Sequence, residues 1–239
     1  MCDAYPILSD YGMQPLSSVE YGGMLSDRVL VPHAEAMLAR LPGNADPVAL
    51  ASVSDNLADG FRSVAPHLRD QPRADVLIVC HGARSIALYA ALAAIALGAG
   101  SVTFESDDET ALAVAAALGA TSTQSDFGRR ASRWPIVVDC GTRPEVFLHA
   151  LDSTESEGVL HSVSYYAEPF TSMPLGKLYT RGIRFFTGRV HSAATLRQVM
   201  PMIADGALLP ALVTPTVIDW DDAPSHYLDP AIKLVVTRT

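Results

Sequence analysis

The sequence predicts an α/β fold built on a doubly wound parallel sheet, and three observations predict it. From residue 76 onward, apolar runs of strand length alternate with helix-like stretches, the pattern of strands joined by crossover helices. The runs Val76-Leu77-Ile78-Val79 and Pro135-Ile136-Val137-Val138-Asp139 show no polar alternation, as in strands covered on both faces. Between the first run and the alanine-rich helix after it lies Cys80-His81-Gly82-Ala83-Arg84-Ser85-Ile86-Ala87, a glycine turn of the kind that opens a dinucleotide-binding, Rossmann-type βαβ unit.

The elements follow in order. Residues 1–45 are rich in Gly, Pro and Tyr, with a strand-like segment over 27–31 and an apolar patch over 36–41, and read as loop and β structure. Asp46-Pro47 is a helix start, an N-cap followed by proline at the first helical position, and the helix is expected to run to about Val64. The strand over 76–79 leads into a helix ending near Gly98, and a second strand follows over 101–105. Residues 108–118 form a helix, with Ser106 and Glu109 spaced as a capping box and Gly119 as its stop. A strand over 135–139, a helix over 142–151, strands over 158–163 and 183–186, and a helix over 192–205 continue the alternation. A strand-like stretch over 213–220 comes next, and 229–233 leads into Leu234-Val235-Val236-Thr237. The chain thus divides into segment 1–45, an α/β domain over 46–206 and a C-terminal segment 207–239.

The bulk properties exclude several classes. With 49% hydrophobic, 18% charged and 7% aromatic residues, the composition is that of a globular protein, not a disordered one. Seventeen basic against 26 acidic residues give a formal net charge of −9, and no run of Lys and Arg is present, so nucleic acid and anionic membranes are excluded as expected partners. Cys2, Cys80 and Cys140 are too few and too dispersed for a disulfide framework or a zinc quartet. The start, Met1-Cys2-Asp3-Ala4, lacks the features of a secretory signal, and the longest apolar stretch, 86–99, is short of a membrane span. A cytoplasmic protein acting on a small molecule is the expectation.

A full dinucleotide fingerprint needs glycine at the tight turn, at the close approach to pyrophosphate, and where the helix crosses its strand. Those places hold Gly82, Arg84 and Ala87. Ala87 is small enough. Arg84 either binds phosphate through its guanidinium or blocks it.

Taken with Tyr21-Gly22-Gly23-Met24-Leu25-Ser26-Asp27-Arg28-Val29-Leu30-Val31-Pro32, Ser54-Asp55-Asn56-Leu57-Ala58-Asp59-Gly60-Phe61 and Tyr179-Thr180-Arg181-Gly182-Ile183-Arg184-Phe185, this unit resembles the zinc-dependent medium-chain dehydrogenases/reductases, the alcohol dehydrogenase superfamily. The resemblance spans nearly the whole chain and rests on the order and spacing of the motifs. It implies a Rossmann domain flanked by a reduced remnant of the GroES-like catalytic β domain, formed from 1–45 and 207–239. It also implies a start inside the catalytic domain, with Cys2 near the last cysteine of the structural zinc loop. On that alignment the Cys and His ligands of the catalytic zinc are absent. Asp55 stands where some members place a carboxylate ligand, and zinc catalysis needs three protein ligands, so no catalytic zinc is expected.

The same resemblance assigns cofactor contacts for NAD or NADP to Gly82, Ala83, Arg84, Ser85 and Ile86. The acid that receives the adenosine ribose falls at Ser106, flanked by Glu105 and Asp107, where a carboxylate favours NAD and a serine tolerates NADP. Lys233 matches a basic residue that reaches pyrophosphate, and Val163-Ser164-Tyr165 matches the backbone beside nicotinamide. Phe185-Phe186 lies near the sheet edge through which family dimers pair, so a homodimer is expected, with core packing as the alternative.

Catalytic candidates are Asp55, Tyr165 and Tyr166. Asp55 is a general base in the cleft or a carboxylate bonded to local backbone. The two tyrosines line the pocket at a strand's carboxyl end or lid the core. His81 touches phosphate or sits in an exposed loop, His191 lies beside the cap of the last long helix, and Cys140 reads as a buried small residue. Three functions are open: a zinc-free NAD(P)-dependent oxidoreductase; a non-redox cyclase, isomerase or lyase using the open cleft; and a non-catalytic binding subunit or shortened form of a longer dehydrogenase.

Overall fold

A computed structural model describes residues 23–31, 34–41, 43, 45–128, 132–165, 170–213 and 215–238. The chain divides into two compact units, Met1–Asn44 and Ala45–Thr239. In the first, α1 (Ala34–Met37) is a single turn. The strand expected over 27–31 is not formed. There the Ser26 hydroxyl donates to the carbonyls of Gly23 and Arg28, folding the chain locally instead of extending it.

The second unit opens with turns over 47–55, not the helix expected from Asp46-Pro47. Asp46 Oδ1 accepts from the Val48 amide at 2.9 Å, two residues on, which closes an Asx turn where a helix cap would reach further. Helix α2 (Asn56–Asp70) starts later and continues through Pro66, which sacrifices one amide bond. The order then runs β1 (Val76–Cys80), α3 (Arg84–Ala96), β2 (Val102–Ser106), α4 (Glu109–Leu118), β3 (Thr121–Gln124), β4 (Trp134–Cys140), α5 (Pro144–Asp152) and β5 (Thr154–Ser162). After these come α6 (Leu175–Arg181), β6 (Arg184–Phe186), α7 (Ser192–Ala204), β7 (Thr216–Asp219), α8 (Ala223–His226) and β8 (Leu234–Thr237).

Six strands form one wholly parallel sheet in the order β3-β2-β1-β4-β5-β6, and β7 and β8 form a separate parallel pair. Residues of α2, α3, α4 and α7 pack with Ile78, Phe104 and Val138 on one face, while α5 and α6 pack with Leu77, Val137 and Leu160 on the other. All five residues of β1 are buried, as its unbroken apolar run predicts.

Some boundaries differ from expectation. The N-cap of α4 is Asp108, whose Oδ1 accepts from the Ala111 amide, while Ser106 donates to the Cys80 carbonyl instead of joining a capping box with Glu109. Gly119 does end α4, at φ 101°. Strand β3 and helix α6 were not anticipated, because Thr121-Ser122-Thr123-Gln124 has no apolar run and α6 spans two turns between Pro174 and Gly182.

Helix α2 approaches α3 closely at Gly60, where an added Cβ would stand 2.6 Å from the Ala90 amide nitrogen and 2.7 Å from the Ile86 carbonyl oxygen. Gly60→Ala is therefore expected to lower stability by about 1–3 kcal/mol, although alanine favours a helix by about 1 kcal/mol. The urea midpoint should fall at constant slope, and an unchanged midpoint would show that the helices are not this close.

Candidate functional site

The sheet reverses its winding between β1 and β4: α3 leads from β1 to β2 on one side, and α5 leads from β4 to β5 on the other. The carboxyl ends of these two strands are where open α/β sheets place ligands. The turn after β1 holds Gly82 at φ 97°, and an added Cβ there would lie 2.6 Å from Thr142 Cγ2, so both conformation and space demand glycine. Ala83 occupies the N-cap of α3 without a side-chain cap, leaving the helix's first amides to other acceptors. Ser85 Oγ accepts from Asn56 Nδ2 at 2.7 Å, tying the first turns of α2 and α3 together. Ile86 presents its carbonyl to Gly60, and Ala87 is fully buried in the core, as the third fingerprint position requires.

Arg84 spans the site's outer side. Its Nη1 donates to Asp108 Oδ2 at 2.8 Å and its Nη2 to the Ala231 carbonyl at 2.8 Å. Burial opposes ionisation of Asp108, but the Ala111 amide and the Arg84 guanidinium outweigh it and hold the carboxyl below its ordinary value.

At the end of β2 both expected ribose contacts face the interior. Glu105 is fully buried, with Oε2 2.8 Å from His149 Nε2. Ser106 is also fully buried, its hydroxyl spent on the Cys80 carbonyl. Period-two alternation turns one to each covered face of the sheet. Asp107 is the first residue past the strand, with 41% of its side chain exposed, 2.8 Å from His81 Nδ1 and 3.9 Å from Arg143 Nη2. His81, Asp107 and Arg143 come from the ends of three adjacent strands. The sequence offers Asp107, like Glu105, as a carboxylate flanking the ribose position that favours NAD.

Lys233 turns inward: it is 7% exposed, and its Nζ donates to the Tyr89 hydroxyl at 2.7 Å, with Ser52 Oγ 3.3 Å from the same oxygen. The Val163 amide donates to the Asp139 carbonyl at 3.0 Å. Asp139 is itself fully buried, accepting from the Gly141 amide and the Ser162 hydroxyl, and burial raises its pKa against those bonds. Cys80 and Cys140 face each other in register across β1 and β4 as free thiols. Burial pushes Cys80 up to about 12 and Cys140 well above its ordinary value, so neither is a thiolate nucleophile.

Asp55 sits at the N-cap of α2 without a capping bond, one residue from the Asn56–Ser85 link. Desolvation raises its pKa, with Arg189 opposing. Asp59, one turn on, is buried and raised for the same reason, although Arg62 Nε lies 2.5 Å from its Oδ1. Tyr165 is 74% exposed and makes no hydrogen bond to Asp55 among the described residues. Tyr166 lies outside the described residues, as do Cys2 and Tyr21, Gly22 and Pro32 of the 21–32 motif. His191 stands at the N-cap position of α7. Among the described residues no group of three His, Cys, Asp or Glu is arranged to hold a metal ion, and no helix is long and apolar enough to cross a membrane.

No family model and no curated protein matches the sequence. Solved structures do match. The alcohol dehydrogenase from Thermus sp. ATN1 superposes with a TM-score of 0.81 at 20% identity, covering 91% of this chain and 68% of that one. Zinc-dependent alcohol dehydrogenase 2 from Streptococcus pneumonia gives 0.74 at 20% identity, covering 86% and 61%. Acetophenone reductase from Geotrichum candidum, in complex with NAD, gives 0.68 at 19% identity, covering 83% and 58%. The chain thus has the fold of zinc-dependent alcohol dehydrogenases and spans 58% to 68% of the length of these three.

Proposed function

We propose that the chain belongs to the alcohol dehydrogenase superfamily and is a cytoplasmic oxidoreductase-type protein that binds NAD(H) at the carboxyl ends of β1 and β2. In this reading 46–206 is the cofactor domain, with 1–45 and 207–239 as segments of catalytic-domain type. The observation that carries it is the Gly82 turn opening α3 beside the Asp107 carboxylate at the end of β2. An uncapped helix start offers amides to pyrophosphate, and a carboxylate at that strand end accepts the two ribose hydroxyls. His81 holds the carboxylate in place, and its negative charge disfavours the extra phosphate of NADP. Arg84 is the feature that fits least, because a side chain replaces the glycine that lets backbone approach phosphate.

When bound, a nicotinamide ring exchanges hydride with the carbon of a small alcohol or carbonyl compound. In this reading the chain's own proton donors act on the substrate oxygen. Asp55, its pKa raised by burial, keeps a proton to higher pH than an ordinary aspartate and would deliver it to a carbonyl oxygen, with Tyr165 lining the approach. The raised Asp55 also favours a second reading, acid–base chemistry without redox in the same cleft. Edge strand β6, with Phe186 43% exposed, would pair with a second copy to form a homodimer.

Calorimetric titration with NADH and NADPH tests the reading. The parent should bind NADH more tightly than NADPH, and a hundredfold excess over Kd should stabilise the fold by about 2.7 kcal/mol. Asp107→Ala should weaken NADH about tenfold, in line with loss of charge-assisted hydrogen bonds, and leave NADPH unchanged or improved. Absence of binding by the folded protein would leave the non-redox reading standing.

A further inference from the structure

We infer that Arg84 is a gate on cofactor affinity: its guanidinium is locked to Asp108 and the Ala231 carbonyl, and the lock competes with pyrophosphate at the turn. This rests on the dinucleotide reading above and adds the direction of Arg84's effect, which the sequence left open between ligand and obstacle.

Arg84 is the first residue of α3, in the fingerprint position where a bare backbone meets pyrophosphate. A phosphate-binding arginine would hold its donors ready for the ligand. Here Nη1 is committed to Asp108 Oδ2 and Nη2 to the Ala231 carbonyl, both at 2.8 Å. Asp108 is itself anchored as the N-cap of α4, so the pair bridges the starts of two helices that follow adjacent strands. Ala231 belongs to the segment that Lys233 also fastens to α3 through Tyr89, so the chain before β8 is pinned to α3 at two points. A pyrophosphate recruiting Arg84 would break both bonds and bring its own charge against the released Asp108 carboxylate. The lock therefore holds α3, α4 and the C-terminal segment together and weakens dinucleotide binding.

The opposite sign of two outcomes makes the test decisive. Parent, Arg84→Gly and Asp108→Asn proteins are titrated with NADH and melted without ligand. Arg84→Gly restores the fingerprint glycine and should bind NADH about tenfold more tightly, the scale of one charge-assisted contact, while melting at lower temperature. Asp108→Asn keeps a good helix cap, removes the ion pair and should also tighten binding; it decides the matter if Arg84→Gly does not fold. Equal or weaker NADH binding by Arg84→Gly, with the parent binding, would overturn the gate and leave the dinucleotide reading intact. No binding by any of the three would overturn both.

Discussion

His149→Leu should lower stability by about 3–5 kcal/mol, the scale for removing one partner of a buried charged pair. His149 Nδ1 lies 2.7 Å from the Gly128 carbonyl, which only accepts, so Nδ1 carries hydrogen. Nε2 meets Glu105 Oε2 at 2.8 Å, and the two side chains are 1% and 0% exposed. One proton lies between them, whichever partner owns it, and leucine removes the imidazole end of that hydrogen bond. Glu105 then loses its imidazole partner at a fully buried position. Replacing both residues, as in Glu105→Met with His149→Leu, should recover much of the loss, because a buried pair is often matched by apolar side chains of similar volume. Urea unfolding of the single and double variants checks this. A cost below about 1 kcal/mol for the single variant would mean that the carboxylate finds water, contrary to its burial.

That pair also explains what was legible in the sequence. The alternation of apolar runs and helices was enough for the parallel sheet, and Gly82, Ala87 and Gly119 fell where the turn, the crossing and the helix stop require small or left-handed residues. Side-chain direction at the strand ends was not legible. Glu105, Val79, Asp139 and Ser162 form one row across four strands, all on the α5 face, so two carboxylates at strand ends point into the core. A strand-terminal acid resembles a ligand contact until its partner is known, and His149 lies 44 residues away from Glu105. Arg84 poses the same difficulty, with Asp108 24 residues and Ala231 147 residues distant. At Ser26, Asp46 and Ser106 local pattern misled because side chains competed with backbone.

Acid should destabilise the protein as pH falls from about 6.5 to 4, because of a second buried pair. His67 Nε2 on α2 lies 2.9 Å from His161 Nδ1 on β5, and Phe186 of β6 packs against both rings. Burial, with Arg184 of β6 adding and Asp70 of α2 opposing, lowers His67 from 6.5 to about 4. Burial, then His67 and Arg62, lowers His161 to about 3. Between pH 6.5 and 4 the unfolded chain binds protons at these sites and the folded chain does not, so stability is complete above about 6.5 and falls as pH drops through that window. His67 alone accounts for about 3 kcal/mol at 1.36 kcal/mol per unit. For a chain of this size that is a fall in Tm of about 6–12 °C. Asp55, Asp59 and Asp139, all raised by burial, work in the other direction and gain stability as they protonate. The difference between parent and a His67→Leu/His161→Leu double variant isolates the histidines, since the aspartates are common to both. The parent's Tm should fall more steeply than the variant's between pH 7 and 4.5. Parallel curves would mean that the imidazoles are hydrated or already charged in the folded state, and that helix α2 does not seal them against β5 and β6.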